Sequence, residues 1–192
     1  EEGEINDSHK KHGTWTFFRE ENGRKEKEGE YKNNEKNGTW TEWYINGQKG
    51  LEEEYKDGKK NGKCTRWYDS GQKLHERYYR GGKPHGKWNS WHRNGQKMSE
   101  VEYKDGKEHG KYNVWFDNGQ KWDELEYKDG KKVGKQTSWY ESGEKRSETE
   151  HSKGGRHTQW HNNGRKWLEA EHNRYIEWHE SGQKKEQGER KN

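Results

Sequence analysis

The chain has 192 residues, of which 40 are Lys or Arg and 36 Asp or Glu, for a net charge of +4, and only 20% are hydrophobic. Trp, Tyr and Phe number 12, 11 and 3, whereas Ile, Leu, Val and Ala together fill eleven positions, too few for the layered core that a domain of this length usually buries. The balanced charge lacks the concentrated basic stripe that nucleic acid selects, and no apolar run approaches the ~18 residues of a membrane-spanning helix.

Low hydrophobicity alone would suggest disorder, but the aromatic residues recur at fixed intervals. Residues 3–13, GEINDSHKKHG, read as the second half of a preceding hairpin. Units then open at Gly13, Gly38, Gly62, Gly86, Gly110, Gly134 and Gly155, and at Asn173 where the glycine is replaced, in steps of 25, 24, 24, 24, 24, 21 and 18. Five positions after each opening residue stands a large ring: Phe18, Trp43, Trp67, Trp91, Trp115, Trp139, Trp160 and Trp178. A turn follows, closing on Gly23, Gly47, Gly71, Gly95, Gly119, Gly143, Gly164 and Gly182. Eight residues further on come Tyr31, Tyr55, Tyr79, Tyr103 and Tyr127, replaced late in the chain by His151, His172 and Arg190.

Each unit reads as a β-hairpin, because two runs rich in Thr, Trp and Tyr flank an Asn-Gly or Ser-Gly step. A two-residue type I′ turn at Asn46-Gly47 would set Trp43 opposite Gly50, Trp67 opposite Leu74, Trp91 opposite Met98, Trp115 opposite Trp122 and Trp160 opposite Trp167. A three-residue loop with a bulged glycine would shift that pairing. In the first register Trp40, Tyr44, Leu51 and Tyr55 lie on the face opposite Trp43. YKDGKKNG (55–62), YKDGKEHG (103–110) and YKDGKKVG (127–134) connect one hairpin to the next through a second turn. The expected fold is therefore all-β: an elongated single-layer antiparallel sheet of about eight tandem hairpins and about sixteen strands, one repeat domain over 1–192, with the aromatics as its core. A lone hairpin is marginal in water, so stability has to come from neighbouring repeats.

GTWTEWYINGQKGLEEEYKDGKKNG (38–62) resembles the bacterial MORN-repeat variant in its glycine, aromatic strand, Asn-Gly-Gln-Lys turn, Glu-x-Tyr strand and Lys-Asp-Gly connector. The resemblance covers the chain from about residue 4 to 190, and the last two units, with HSKGGRH (151–157) and EHNRY (171–175), depart from the full connector. It implies a MORN-like solenoid serving protein or surface recognition. Some proteins of this kind are antitoxins of toxin–antitoxin pairs, and others are secreted or surface repeat proteins.

Enzyme function is not expected, since no nucleophile elbow, P-loop, metalloprotease motif or C-x-x-C pair is present, and no cofactor is implied. Abundant carboxylates alternate with lysines and read as a solvated face. Trp43, Trp67, Trp91, Trp115, Trp139, Trp160 and Trp178 form a candidate aromatic ladder for sugars or quaternary ammonium groups, but are expected to be structural. Cys64 takes the slot of Trp40 and Trp88 and reads as a small packed side chain. His151, His157, His161, His172 and His179 are expected to replace Tyr or Trp as flat rings rather than to bind metal. The favoured function is a structural or protein-interaction scaffold, with end-to-end self-association as one form. The alternatives are an antitoxin binding its toxin and surface ligand binding through the Trp row. Nucleic acid and a transmembrane segment are not expected, membrane-surface contact has little support in the mixed charge, and the compartment stays open between surface and cytoplasm.

Overall fold

A computed structural model describes residues 1–152 and 154–189. Among them there is no helix; seventeen antiparallel strands belong to one open hydrogen-bonded sheet. The chain divides into two compact units, residues 1–95 with 103–106 and residues 96–102 with 107–192. The first unit carries β1 (Glu2–Ile5), β2 (Lys11–Phe18), β3 (Lys25–Lys32), β4 (Glu35–Trp43), β5 (Lys49–Lys56), β6 (Lys59–Trp67), β7 (Lys73–Arg80) and β8 (Lys83–Trp91). β9 (Lys97–Lys104) is divided between the units. The second unit continues with β10 (Lys107–Trp115), β11 (Lys121–Lys128), β12 (Lys131–Trp139), β13 (Lys145–Glu150), β14 (Arg156–Trp160), β15 (Lys166–Glu171), β16 (Arg174–Trp178) and β17 (Lys184–Glu189). The seventeenth strand is β1, which pairs with β2 through Glu4 and His12, as the half-hairpin at residues 3–13 suggests. The departing last units still form strands, shortened to five or six residues.

The Asn-Gly step closes a three-residue bulged loop, not a type I′ turn. Gly47 N donates to Tyr44 O and Tyr44 N donates to Gln48 O, both at 2.9 Å, with Gly47 at φ 85°. Asn46 Oδ1 accepts from Gln48 N at 3.0 Å, which holds Asn46 in the turn while glycine alone takes the left-handed position. The extra residue moves the register, so Trp43 faces Lys49 and Trp67 faces Lys73, and likewise Trp115 faces Lys121 and Trp160 faces Lys166. The pairings of Trp43 with Gly50, Trp67 with Leu74, Trp115 with Trp122 and Trp160 with Trp167 are thereby corrected. Two-residue turns with two left-handed residues occur instead at the connectors, as in Asp57 (φ 49°) and Gly58 (φ 71°).

At the other ladder of the first unit a bulge surrounds each opening glycine. Glu28 pairs with Thr41 and Glu30 with Asn37, so residues 38–40 bulge around Gly38 at φ 65°. The bulge lays the Trp40 ring across Gly29, where a Cβ would run into the indole. Trp40 Nε1 then donates to Glu30 O at 3.0 Å, and Trp15 and Trp88 make the same bond to Glu4 O and Tyr78 O at 3.1 and 2.9 Å.

The buried ring row is thus the one two residues after each opening glycine. Trp15 and Trp40 are buried, Trp88 is half-buried, and Cys64 fills the same slot. Tyrosines stand between them, with Tyr31 to Trp40 at 4.8 Å and Trp88 to Tyr103 at 4.5 Å between ring centroids. In the second unit the expectation of an all-aromatic core fails. Val101, Val114, Leu125 and Leu168 are buried. Tyr112 there replaces Trp and directly faces Leu125, so a smaller ring leaves room that the scarce aliphatics fill.

Repeats are stitched at both edges. Tyr44 and Tyr68 hydroxyls donate to the carbonyls of Trp67 and Trp91 at 2.7 and 2.9 Å, and Tyr140 donates to Trp160 O at 2.8 Å. At the connectors Gly58 N donates to Lys36 O and Gly82 N to Lys60 O, at 3.0 and 2.8 Å. These bonds satisfy backbone groups across neighbouring repeats, as a stacked array requires.

Candidate functional site: the tryptophan–lysine comb

Alternation along each strand puts the candidate ladder on the face opposite Trp40. Trp43, Trp67 and Trp91 in the first unit, and Trp115, Trp139, Trp160 and Trp178 in the second, are all half-buried. Phe18, at the head of the row, is 38% exposed. The lysine over each ring comes from the preceding hairpin and is not the ring's own cross-strand partner. Lys25 Nζ stands 5.4 Å from the centre of the Trp43 ring and Lys73 5.2 Å from that of Trp91. In the second unit Lys97, Lys121, Lys145 and Lys166 lie 5.6 to 5.9 Å from Trp115, Trp139, Trp160 and Trp178.

The same lysines bind carboxylates three residues on. Lys25 reaches Glu28 at 2.5 Å, Lys73 reaches Glu76 and Lys145 reaches Glu148 at 2.8 and 2.9 Å, and Lys121 pairs with Glu124. A second lysine joins Glu76 and Glu148, Lys63 at 2.9 Å and Lys135 at 2.8 Å. Side-chain bonds from Lys73 and Lys63 hold the Glu76 carboxyl below the usual carboxylate range. The comb therefore carries its own cations over its own rings, and its acids are paired. An ammonium ligand would have to displace a lysine already in place.

On the opposite face, the missing Trp at Cys64 leaves a polar cluster. Glu53 is 7% exposed and sits where Gly29 lies one repeat earlier. It accepts from Tyr55 Oη at 2.6 Å, pairs with Lys60, and has Cys64 Sγ at 3.4 Å. Burial opposes its ionisation, but the bonds from Lys60 and Tyr55 outweigh that and keep its pKa below the ordinary value. Burial and the adjacent Glu53 push the Cys64 thiol up to about 11, so it is a packed side chain with little thiolate at neutral pH.

The late histidines occupy ring or polar slots of the second unit. His151 Nε2 lies 2.9 Å from Gln136 Oε1 and His157 Nδ1 2.7 Å from Thr149 Oγ1. His161 follows Trp160 as Tyr140 follows Trp139. Among the described residues no three His, Cys, Asp or Glu side chains converge as a metal site would, and no helix is long and apolar enough to cross a membrane. Arg190, the last member of the tyrosine row, lies outside the described residues.

Sequence reasoning missed the Glu53 cluster. Its signal was a paired departure, Cys at a Trp slot beside Glu at a Gly slot. Also missed was the division of labour between the ring rows, because the comb row is Trp in every unit after Phe18 whereas the buried row varies.

The MORN repeat variant family matches the chain at residues 84–105 and 108–129. Each match runs from an aromatic strand through its Asn-Gly turn to the tyrosine strand and Asp turn, the unit read from the sequence period. No curated protein matches the chain. MORN repeats are generally scaffold and interaction modules, and two units of this chain match that repeat.

Proposed function

We propose that the chain is a non-catalytic repeat scaffold that binds protein, either another copy of itself or a different partner. The observation that carries this reading is the comb: ring, lysine and carboxylate recur at hairpin after hairpin, and each group is satisfied within the array. Such a surface presents one chemistry at regular spacing and concentrates nothing at a single point, which suits broad contact rather than turnover. In this reading Trp43, Trp67, Trp91, Trp115, Trp139, Trp160 and Trp178 hold the comb together and do not stack on a ligand.

The test is site-specific photo-crosslinking in the source cells, from position 63 on the comb face and position 66 on the other. A discrete protein adduct is expected from at least one position, and absence of adducts from both would overturn the scaffold reading. Sedimentation of the purified chain at micromolar concentration then separates the two forms. Association that grows with concentration identifies self-assembly, and a strict monomer leaves a partner of different sequence.

A further inference from the structure

One place in the first unit breaks the repeat pattern three times at once. Arg66 on β6 faces His75 on β7, and Arg77, two residues along β7, faces Cys64. All three side chains therefore project from the Trp40 face. One repeat earlier these slots hold Glu42, Leu51 and Glu53, and one repeat later Ser90, Ser99 and Val101. Nowhere else in the described residues do all three become basic.

Arg66 and Arg77 set two guanidiniums diagonally across one strand pair of the same face. Like charges on adjacent strands repel. Neither guanidinium makes an ion pair or hydrogen bond with a carboxylate among the described residues. Glu53 is engaged by Lys60, Tyr55 and Cys64, and Glu42, which lines one small cavity with Arg66 across Leu51, forms no ion pair with it. The Arg77 guanidinium stacks on the Trp88 ring with Cζ 4.8 Å from its centre, which orients it and leaves its in-plane donors for a carboxylate. His75 Nδ1 is buried without a hydrogen-bond partner. Burial, followed by Arg77 and Arg66, pushes the imidazole down to about 4, so at neutral pH two full charges remain. Arg66 is exposed and Arg77 half-buried, open to a partner from the face.

We propose that this face of β6–β7 is a docking site for an extended acidic segment of a protein partner, with one carboxylate taken by Arg66 and a second by Arg77. The inference rests on the scaffold reading and names the partner's chemistry. Diagonal neighbours on adjacent strands stand about 7–8 Å apart. In an extended segment residues i and i+2 point the same way about 7 Å apart, so a Glu-x-Glu pair spans the two arginines. Each guanidinium fork matches one carboxylate in two parallel hydrogen bonds. Docking also removes the repulsion that the free face carries.

The test titrates the full chain with the capped peptide Gly-Glu-Thr-Glu-Gly, its Gly-Gln-Thr-Gln-Gly counterpart and inorganic phosphate at matched ionic strength, following the His75 Cε1–H signal and the heat of binding. The Glu peptide is expected to bind at least about tenfold more tightly than either, shifting His75. The triple variant Arg66→Ser, His75→Ser, Arg77→Val carries the residues of the following repeat. It is expected to fold with an unchanged or higher denaturation midpoint and to lose the heat of binding. Arg66→Gln with Arg77→Gln, which keeps His75 as reporter, is expected to lose both signals. Equal binding of the Gln peptide, a phosphate response as strong as that of the Glu peptide, or binding retained in the double variant would each overturn the site. A failure here with crosslinks still forming elsewhere overturns the site and leaves the scaffold.

Discussion

Trp40→Ala and Trp43→Ala, three residues apart on one strand, should differ sharply in cost. Trp40 is 2% exposed, lies over Gly29, contacts Tyr31 at 4.8 Å and has Lys36 4.4 Å from its ring centre. A Trp side chain of about 200 Å² at about 25 cal/mol per Å² gives a transfer contribution of about 5 kcal/mol as an upper bound. The variant also frees Glu30 O from its indole donor, which water will partly replace. A loss of about 3–5 kcal/mol is the expected range for such a truncation. Trp43 is half-buried, its indole makes no hydrogen bond among the described residues, and the stem of Lys25 can relax into the vacated space. Its removal should cost about 1–2 kcal/mol, in line with partial burial. Urea unfolding followed by far-UV circular dichroism compares the two midpoints at equal m-values. A Trp43→Ala variant as damaged as Trp40→Ala would show that the comb is the core and would overturn the assignment of rows.

Gly38→Ala forces a side chain into φ 65° and should cost about 1–2 kcal/mol, measured as a lowered urea midpoint; an unchanged midpoint would mean the bulge is dispensable. His75 sets a pH dependence whose sign follows from its depressed pKa. The unfolded imidazole takes its proton near its ordinary pKa of about 6.5 and the folded one near about 4, so stability should fall as pH drops between these values. His75→Ser should remove that part of the slope, and an equal slope in both proteins would refute it. Cys64, buried with its pKa raised to about 11, should resist iodoacetamide at pH 8 until the chain is unfolded in urea. Rapid alkylation of the native protein would contradict the packed assignment.

The hairpin period, the turn positions and even the half-repeat that became β1 were legible because each rests on local chemistry: glycine where the backbone must turn left-handed, and aromatic or β-branched residues between. Register was less legible. Asn46-Gly47 satisfies both a two-residue and a bulged loop, and the choice depends on the Asn46 side chain binding Gln48 N, a contact invisible to spacing. The buried row was harder still. Its members run Trp15, Trp40, Cys64, Trp88, Tyr112, Gln136, His157 and Tyr175, too varied to announce a core. What buries Trp40 is the bare backbone of Gly29 on the preceding strand, so the signal lay in the partner. The invariant comb drew attention instead because each Trp there must meet the lysine and carboxylate of its neighbours in the same way.

An array of this kind separates what the repeat needs from what a particular repeat does. The slots that every hairpin must fill identically are those that touch the next hairpin: the comb ring, its lysine, and the turn glycine. Slots on the buried-row face make most of their contacts within one or two strands, so they can change without stopping the array. Cys64 with Glu53, Tyr112 with Leu125, and Gly29 beneath Trp40 are three solutions to the same packing problem, and each balances size across a strand pair. Arg66 and Arg77 form no ion pair among the described residues, and His75 Nδ1 has no hydrogen-bond partner. A departure that leaves volume matched is explained by packing, whereas one that leaves guanidinium donors without an internal partner leaves them to water or to a counter-charge from outside. On that reasoning the uniform comb holds the repeats together, and the arginines on the opposite face are where the proposed acidic partner would be selected.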